Sequence, residues 1–188
     1  MSRALGTDGR WFGLGCGALL GLALSLAGCS GSRPSPGPHF KIGTPYEVDG
    51  QWYYPKFVTS YEATGIASWY GDAYDGRETA NGEIYDVGAL TAAHPTLQLP
   101  SLVQVTNLEN GRSLVLRVND RGPFVKNRLI DLSQAAAREL GFEDRGLAVV
   151  HVQYLGLARL DDKPIRPGEQ RTYSALACRL SEAEQLTC

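Results

Sequence analysis

Leu102-Val103-Gln104-Val105-Thr106-Asn107-Leu108-Glu109-Asn110-Gly111-Arg112-Ser113-Leu114-Val115-Leu116-Arg117-Val118-Asn119 is the stretch that decides the fold. Its first half alternates, with Val103 and Val105 on one face and Gln104 and Thr106 on the other, the two-residue period of a half-buried strand. Asn110-Gly111 is a strong hairpin signal, because both residue types accept positive φ. The return run places Leu114, Leu116 and Val118 on one face, and Val115 on the other implies burial on both sides in part. Working outward, short strand-like runs recur at Ile66–Tyr70, Arg128–Leu132 and Ala148–Leu155. One helix is expected, with Ser133 as N-cap, 134–140 as body and Gly141 just past its end. Ala135, Ala136 and Ala137 let it approach a sheet closely. Several short strands and one helix within about 95 residues argue for a closed barrel, since closure leaves no exposed sheet edge.

The barrel occupies 63–157. Before it, 39–62 is rich in aromatics (Tyr46, Trp52, Tyr53, Tyr54, Phe57, Tyr61) and interrupted by Pro45 and Pro55. Those prolines exclude a long helix, so extended segments and a hairpin at Asp49-Gly50 are expected, most of the aromatics packing onto the barrel. Residues 29–38 read as a polar, proline-stiffened tether. Residues 1–28 read as a signal peptide: Arg3 and Arg10 precede an uncharged apolar run from Trp11, which closes on Leu26-Ala27-Gly28-Cys29. After the barrel, 158–188 is a polar tail with room for a short helix at 174–187.

The chain of 188 residues is 43% hydrophobic, enough for a core and too much for a disordered tail. Its 18 basic and 20 acidic residues leave no basic footprint for nucleic acid. His39, His94 and His151 are its three histidines, and no cysteine clusters with them, so neither a metal site nor a cofactor is expected. Cys178 and Cys188 are free to form a disulfide in an oxidising compartment, with a frayed tail carrying free thiols as the alternative.

Two resemblances sharpen this reading. Leu26-Ala27-Gly28-Cys29 resembles the lipobox of bacterial lipoproteins, which implies a lipid on Cys29 and, with Ser30 next, the periplasmic face of the outer membrane. Gly65-Ile66-Ala67-Ser68-Trp69-Tyr70-Gly71, Gly76-Arg77-Glu78-Thr79-Ala80-Asn81-Gly82-Glu83, Leu90-Thr91-Ala92-Ala93-His94-Pro95-Thr96-Leu97, Val105 to Arg112, Arg117-Val118-Asn119-Asp120-Arg121-Gly122-Pro123-Phe124 and Ile130-Asp131-Leu132-Ser133 together resemble the RlpA family of septal ring lytic transglycosylases. The resemblance runs from about Gly65 to Leu155. It implies a mostly β fold, a small six-stranded double-psi β-barrel with one short helix. It also implies endolytic cleavage of peptidoglycan glycan strands between N-acetylmuramic acid and N-acetylglucosamine, leaving 1,6-anhydro ends. The implied partners are glycan strands, peptide-stripped ones among them, together with cell-wall amidases or division-site proteins.

The family's catalytic pair falls on His94 and Asp120. A glycosidic oxygen leaves only when protonated, and one carboxylic acid supplies that proton. The nucleophile is the sugar's own C6 hydroxyl, so Asp120 as acid, then as base, suffices. His94 is expected to orient Asp120, to bond the substrate or to stabilise the cationic sugar. Trp69 and Tyr70 are expected to form a sugar platform. Arg77, Asn81, Glu83 and Arg121 are the expected polar contacts to substrate. Asp131 is expected to cap the helix or to form an ion pair near its start. A non-catalytic glycan-binding or division-site lipoprotein is the competing reading. Many family members carry His where Asp75 stands.

Overall fold

The computed structural model describes residues 36–169. The signal peptide, Cys29, most of the tether, Cys178, Cys188 and the proposed terminal helix lie outside the described residues. Two short strands open the described chain, β1 (Tyr46–Val48) and β2 (Gln51–Tyr53), paired antiparallel. Asp49 and Gly50 both have positive φ, 50° and 77°, as a tight two-residue hairpin turn demands.

Six strands then close a barrel: β3 (Glu62–Tyr70), β4 (Thr91–Ala93), β5 (Ser101–Asn107), β6 (Ser113–Asp120), β7 (Arg128–Ser133) and β8 (Ala148–Leu157). Around the barrel the order is β3-β7-β4-β6-β5-β8. β3 runs parallel to β7 and β4 parallel to β6, while the remaining neighbours are antiparallel. Two parallel pairs inside one small closed sheet make this the double-psi form. Helix α1 (Gln134–Glu139) packs on β3, β6 and β7 through its three buried alanines.

The hairpin decoded from Leu102–Asn119 is β5–β6, with Val103 opposite Leu116 and Val105 opposite Leu114. Inward residues of five strands (Ala67, Val103, Leu116, Ile130, Val150) share one fully buried core. β6 is buried on both faces from Val115 to Asn119, extending the partial burial that Val115 implied. β4 has no signature of its own in the sequence. Three residues buried on both faces display neither the two-residue nor the 3.6-residue period. Yet β4 lies between β6 and β7 and joins them.

Ser133 links the helix to that strand. Its hydroxyl accepts from Ala136 N–H at 3.2 Å, the N-cap bond, and donates to the Ala89 carbonyl at 2.6 Å, just ahead of β4. Ser133→Ala removes the cap and one of the two bonds to the Ala89 carbonyl, which keeps the Thr91 N–H at 3.2 Å. It is expected to cost about 1–2 kcal/mol, read as a lower denaturant midpoint at unchanged slope.

Candidate active site

A groove of ≈ 680 Å³ opens at the last residues of β3, β4 and β6, namely Trp69 and Tyr70, Ala93 and Asp120. Tyr74 and Arg77 come to it from the β3–β4 connection, Phe124 and Val125 from the loop after β6, and Arg128 and Asp131 from β7. Tyr70 packs on Tyr85 at 4.7 Å and meets Tyr74 edge-on. Its hydroxyl is buried beside that of Thr91, and neither has a well-directed hydrogen bond. Burial drives the Tyr70 phenol far above its ordinary pKa. Trp69 is fixed by its indole N–H donating to the Glu143 carbonyl at 3.1 Å. Arg77 lies over the Tyr74 ring, 5.4 Å from its centroid. Phe124 is held edge-on by Tyr53 and Tyr46 of the β1–β2 hairpin.

Asp120 is asymmetric. Its Oδ1 accepts two backbone N–H bonds, from Ala80 and Arg121, each at 2.8 Å. Its Oδ2 has no donor among the described residues and belongs to a groove-lining side chain. Burial lifts the carboxyl above its ordinary pKa, opposed by those two N–H bonds and by the charges of Arg121 and Lys41. A lifted, one-sided carboxyl suits proton donation.

Both N–H donors are braced from behind by the chain ahead of β1. Lys41 Nζ donates to the Ala80 carbonyl at 2.8 Å, and His39 N–H to the Asn81 carbonyl at 2.9 Å. Arg121 donates from Nη2 to Ile42 O at 2.7 Å, and from Nη1 to Leu97 O at 2.6 Å and His94 O at 3.2 Å. The guanidinium thus bonds three carbonyls and braces the loop, while Arg121 also lines the groove. Gly82 completes the strap. Its φ is +83°, and a Cβ there would collide with the Gly37 carbonyl.

Two corrections concern Asn81 and Glu83. Asn81 is fully buried and Glu83 is 8% exposed, so neither presents a polar group to sugar. Glu83 pairs with Arg117 at 2.7 Å and accepts from Asn81 Nδ2 at 2.7 Å and Asn119 Nδ2 at 3.0 Å. Burial works to raise the Glu83 pKa, but the bonds from Arg117, Asn81 and Asn119 outweigh it and leave the carboxylate below its ordinary value. The network fixes the turn that presents Ala80 N–H to Asp120. Among the described residues, no group of three or more His, Cys, Asp or Glu is placed to hold a metal ion.

His94 is 1% exposed and lies behind the groove lining. Its Nδ1 accepts from Thr96 N–H at 3.2 Å and Leu97 N–H at 3.1 Å, so the ring proton is on Nε2, which donates to Tyr61 Oη at 3.0 Å. Burial, with the Arg121 charge beside it, pushes the imidazole down to about 3. The ring does not reach substrate in this arrangement. His94 meets Asp120 through its backbone, donating its N–H to the Asp120 carbonyl at 3.0 Å.

Residues 62–154 match the family described as Lytic transglycolase. The endolytic peptidoglycan transglycosylase RlpA of Rickettsia bellii is 43% identical over 153 residues, covering 69% of this chain and 67% of that protein. The chain belongs to the RlpA family. Its RlpA relative in Rickettsia felis is 50% identical over 120 residues, 62% of this chain and 53% of that one. The one in Pseudomonas aeruginosa is 56% identical over 110 residues, 58% and 32% respectively. The match thus spans about half of the Rickettsia felis relative and a third of the Pseudomonas aeruginosa one. The family-model match begins at Glu62, downstream of the strap that braces Asp120. Of the sequence candidates, the groove brings together Asp120, Trp69, Tyr70, Arg77 and Arg121, and leaves out His94, Asn81 and Glu83. Asp131, Arg128 and Phe124 join the groove, a place that the sequence reading did not give them.

Glu83→Ala leaves Arg117 buried without its counter-charge. It is expected to cost about 3–5 kcal/mol, measured by chemical denaturation. Since the folded Glu83 pKa is depressed, its contribution to stability is complete above the ordinary carboxylate pKa. It is lost as pH falls through the lower folded value. The His94 ring is expected to remain the neutral Nε2–H tautomer from neutral pH down to about 3, visible in its ¹⁵N shifts. A protonated ring at pH 5 would contradict the burial argument.

Proposed function

We propose that this chain is a periplasmic lytic transglycosylase that cleaves the β-1,4 bond between N-acetylmuramic acid and N-acetylglucosamine, leaving 1,6-anhydro ends. The observation that carries the reading is Asp120, a half-buried residue that lines an aromatic groove, with one carboxyl oxygen locked by backbone and the other without a donor among the described residues. The names of the RlpA relatives support the substrate class. In the proposed reaction Asp120 Oδ2–H protonates the glycosidic oxygen, and the muramoyl C6 hydroxyl closes on C1. The returning proton restores Asp120. Trp69 and Tyr70 would cover an apolar pyranose face, and Arg77 would meet polar substituents. His94 acts as a positioning residue, holding the Asp120 backbone and offering its carbonyl to Arg121. A lipid on Cys29 would hold the enzyme at the outer membrane, where amidases that strip stem peptides and division-site proteins are natural partners.

Incubating the chain with purified glycan strands and reading the products by mass spectrometry tests this. Anhydromuramoyl ends are expected, with activity falling as pH rises through the elevated Asp120 pKa, because the acid must be protonated. Asp120→Asn is expected to lower turnover by about 10²–10⁴-fold while strand binding persists. Normal cleavage by that variant would remove Asp120 from the mechanism. Retention of strands without cleavage by the wild type would favour a binding lipoprotein.

A further inference from the structure

Asp131 forms its expected ion pair, with Oδ2 3.3 Å from Arg128 Nη2, while the helix cap belongs to Ser133. What the sequence did not suggest is its place in the groove. Ala93 of β4 is in register with Asp120 on β6 and with Asp131 on β7. The two acids therefore flank one alanine, two strand spacings apart, or roughly 10 Å between Cα atoms. The phenol of Tyr70 lies within electrostatic reach of both.

Their surroundings differ. Asp120 keeps Oδ2 free and has no cation at bonding distance. Asp131 has both oxygens engaged, Oδ1 by the Ser68 hydroxyl and Oδ2 by a guanidinium. The first arrangement suits a carboxyl that hands over a proton, and the second suits one that holds its charge.

Stereochemistry gives the charged one a task, on the reading of Proposed function. The leaving oxygen is β-linked, and the 1,6-bridge closes on that same face. One residue on that face can therefore serve both proton transfers. The C1–O bond breaks with its electron pair going to the leaving oxygen, which takes the Asp120 proton. The C6 oxygen then donates a lone pair to C1 and returns its proton to the Asp120 carboxylate. No water is consumed. Between the two events C1 carries positive charge, and its other face is open.

We propose that Asp131 is a second catalytic carboxylate, which faces the anomeric carbon from the side opposite Asp120 and stabilises the cationic sugar without bonding to it. Asp131 itself neither gains nor loses a proton in the cycle. Arg128 on its own strand and Ser68 on β3 bond to it, the Tyr70 phenol on β3 is within electrostatic reach, and Asp120 and Arg121 at the end of β6, with Arg77 and Glu78 on the groove loop, line the same groove. Burial lifts Asp131 above the ordinary carboxylate range against the Ser68 bond and the Arg128 charge. The activity it supports is therefore lost on the acid side, at pH values above those of a free carboxylate.

The test compares wild type, Asp131→Asn and Asp131→Glu on purified glycan strands, with end chemistry, kcat, KM, pH profile, strand binding and melting temperature measured for each. Asp131→Asn is expected to lose about 10²-fold or more in kcat with little change in KM. It should still form anhydro ends, and should lose the acidic limb of the wild-type profile. Asp131→Glu, which keeps the charge, is expected to recover part of kcat and the acidic limb. Wild-type kcat in Asp131→Asn, with anhydro ends from both proteins, overturns this proposal and leaves the transglycosylase reading standing. Equal losses in the Asn and Glu variants, with melting and binding unchanged, also overturn it, since charge would then not matter. Reducing ends from the wild type that vanish in Asp131→Asn overturn both, making Asp131 the base of a hydrolase. No ends of either kind from the wild type overturn the reading and the proposal with it.

Discussion

A guanidinium inside a β-barrel protein is costly unless its charge is matched, and Arg117, 1% exposed, sets the terms for everything around it. It sits among apolar neighbours on β6, so it must bring an acid into the interior. That acid, Glu83, arrives with its whole turn. Once there, Glu83 orders Asn81 and Asn119 by hydrogen bonds, and the turn they form directs Ala80 N–H at Asp120. Arg117 also donates to the Arg159 carbonyl just after β8, at 3.0 Å. Arg117 thereby ties the segment after β8, strand β6 and the loop over the groove. Removing both partners for apolar residues of like volume could preserve the barrel. It would not preserve the aim of the turn, which depends on directed bonds.

Much of the fold was legible because hydrophobic periodicity and turn chemistry are local. Val103 and Val105 announce β5, Asn110-Gly111 announces the hairpin, and Ser133 with Gly141 bounds the helix. β4 was illegible for the complementary reason, since Thr91, Ala92 and Ala93 acquire strand geometry from β6 and β7 rather than from their own preferences. The site divides along the same line. The order and spacing of motif blocks pointed to Asp120, Trp69 and Tyr70, and all three line the groove. The inward turn of Asn81 and Glu83 could not, although Arg117 between Leu116 and Val118 was a sign that some acid must be buried beside it. Arg121 illustrates a different limit. Adjacency to Asp120 says nothing of where a long side chain ends, and here it ends on three carbonyls of two other segments.

The aromatic-rich segment ahead of the barrel proves more than a cover. The β1–β2 hairpin fixes Phe124 at the groove, and residues 37–42 brace both residues that donate to Asp120 Oδ1. The orientation of the acid is therefore determined by segments far apart in sequence, meeting at one carboxylate oxygen. His94 belongs to the same support. Its neutral ring closes the loop through Thr96 and Leu97, and its carbonyl receives Arg121.

The contact between Gly37 and Gly82 has an evolutionary reading. A positive φ of +83° alone would admit asparagine at position 82. The Gly37 carbonyl pressed against that site withdraws the option, because any Cβ would strike main chain rather than a yielding side chain. The residue at this one position therefore records the path of a segment some forty residues upstream. A lineage that replaced Gly82 with Asn must first have rerouted or lost the strap, and a lineage that keeps the strap is bound to keep the glycine.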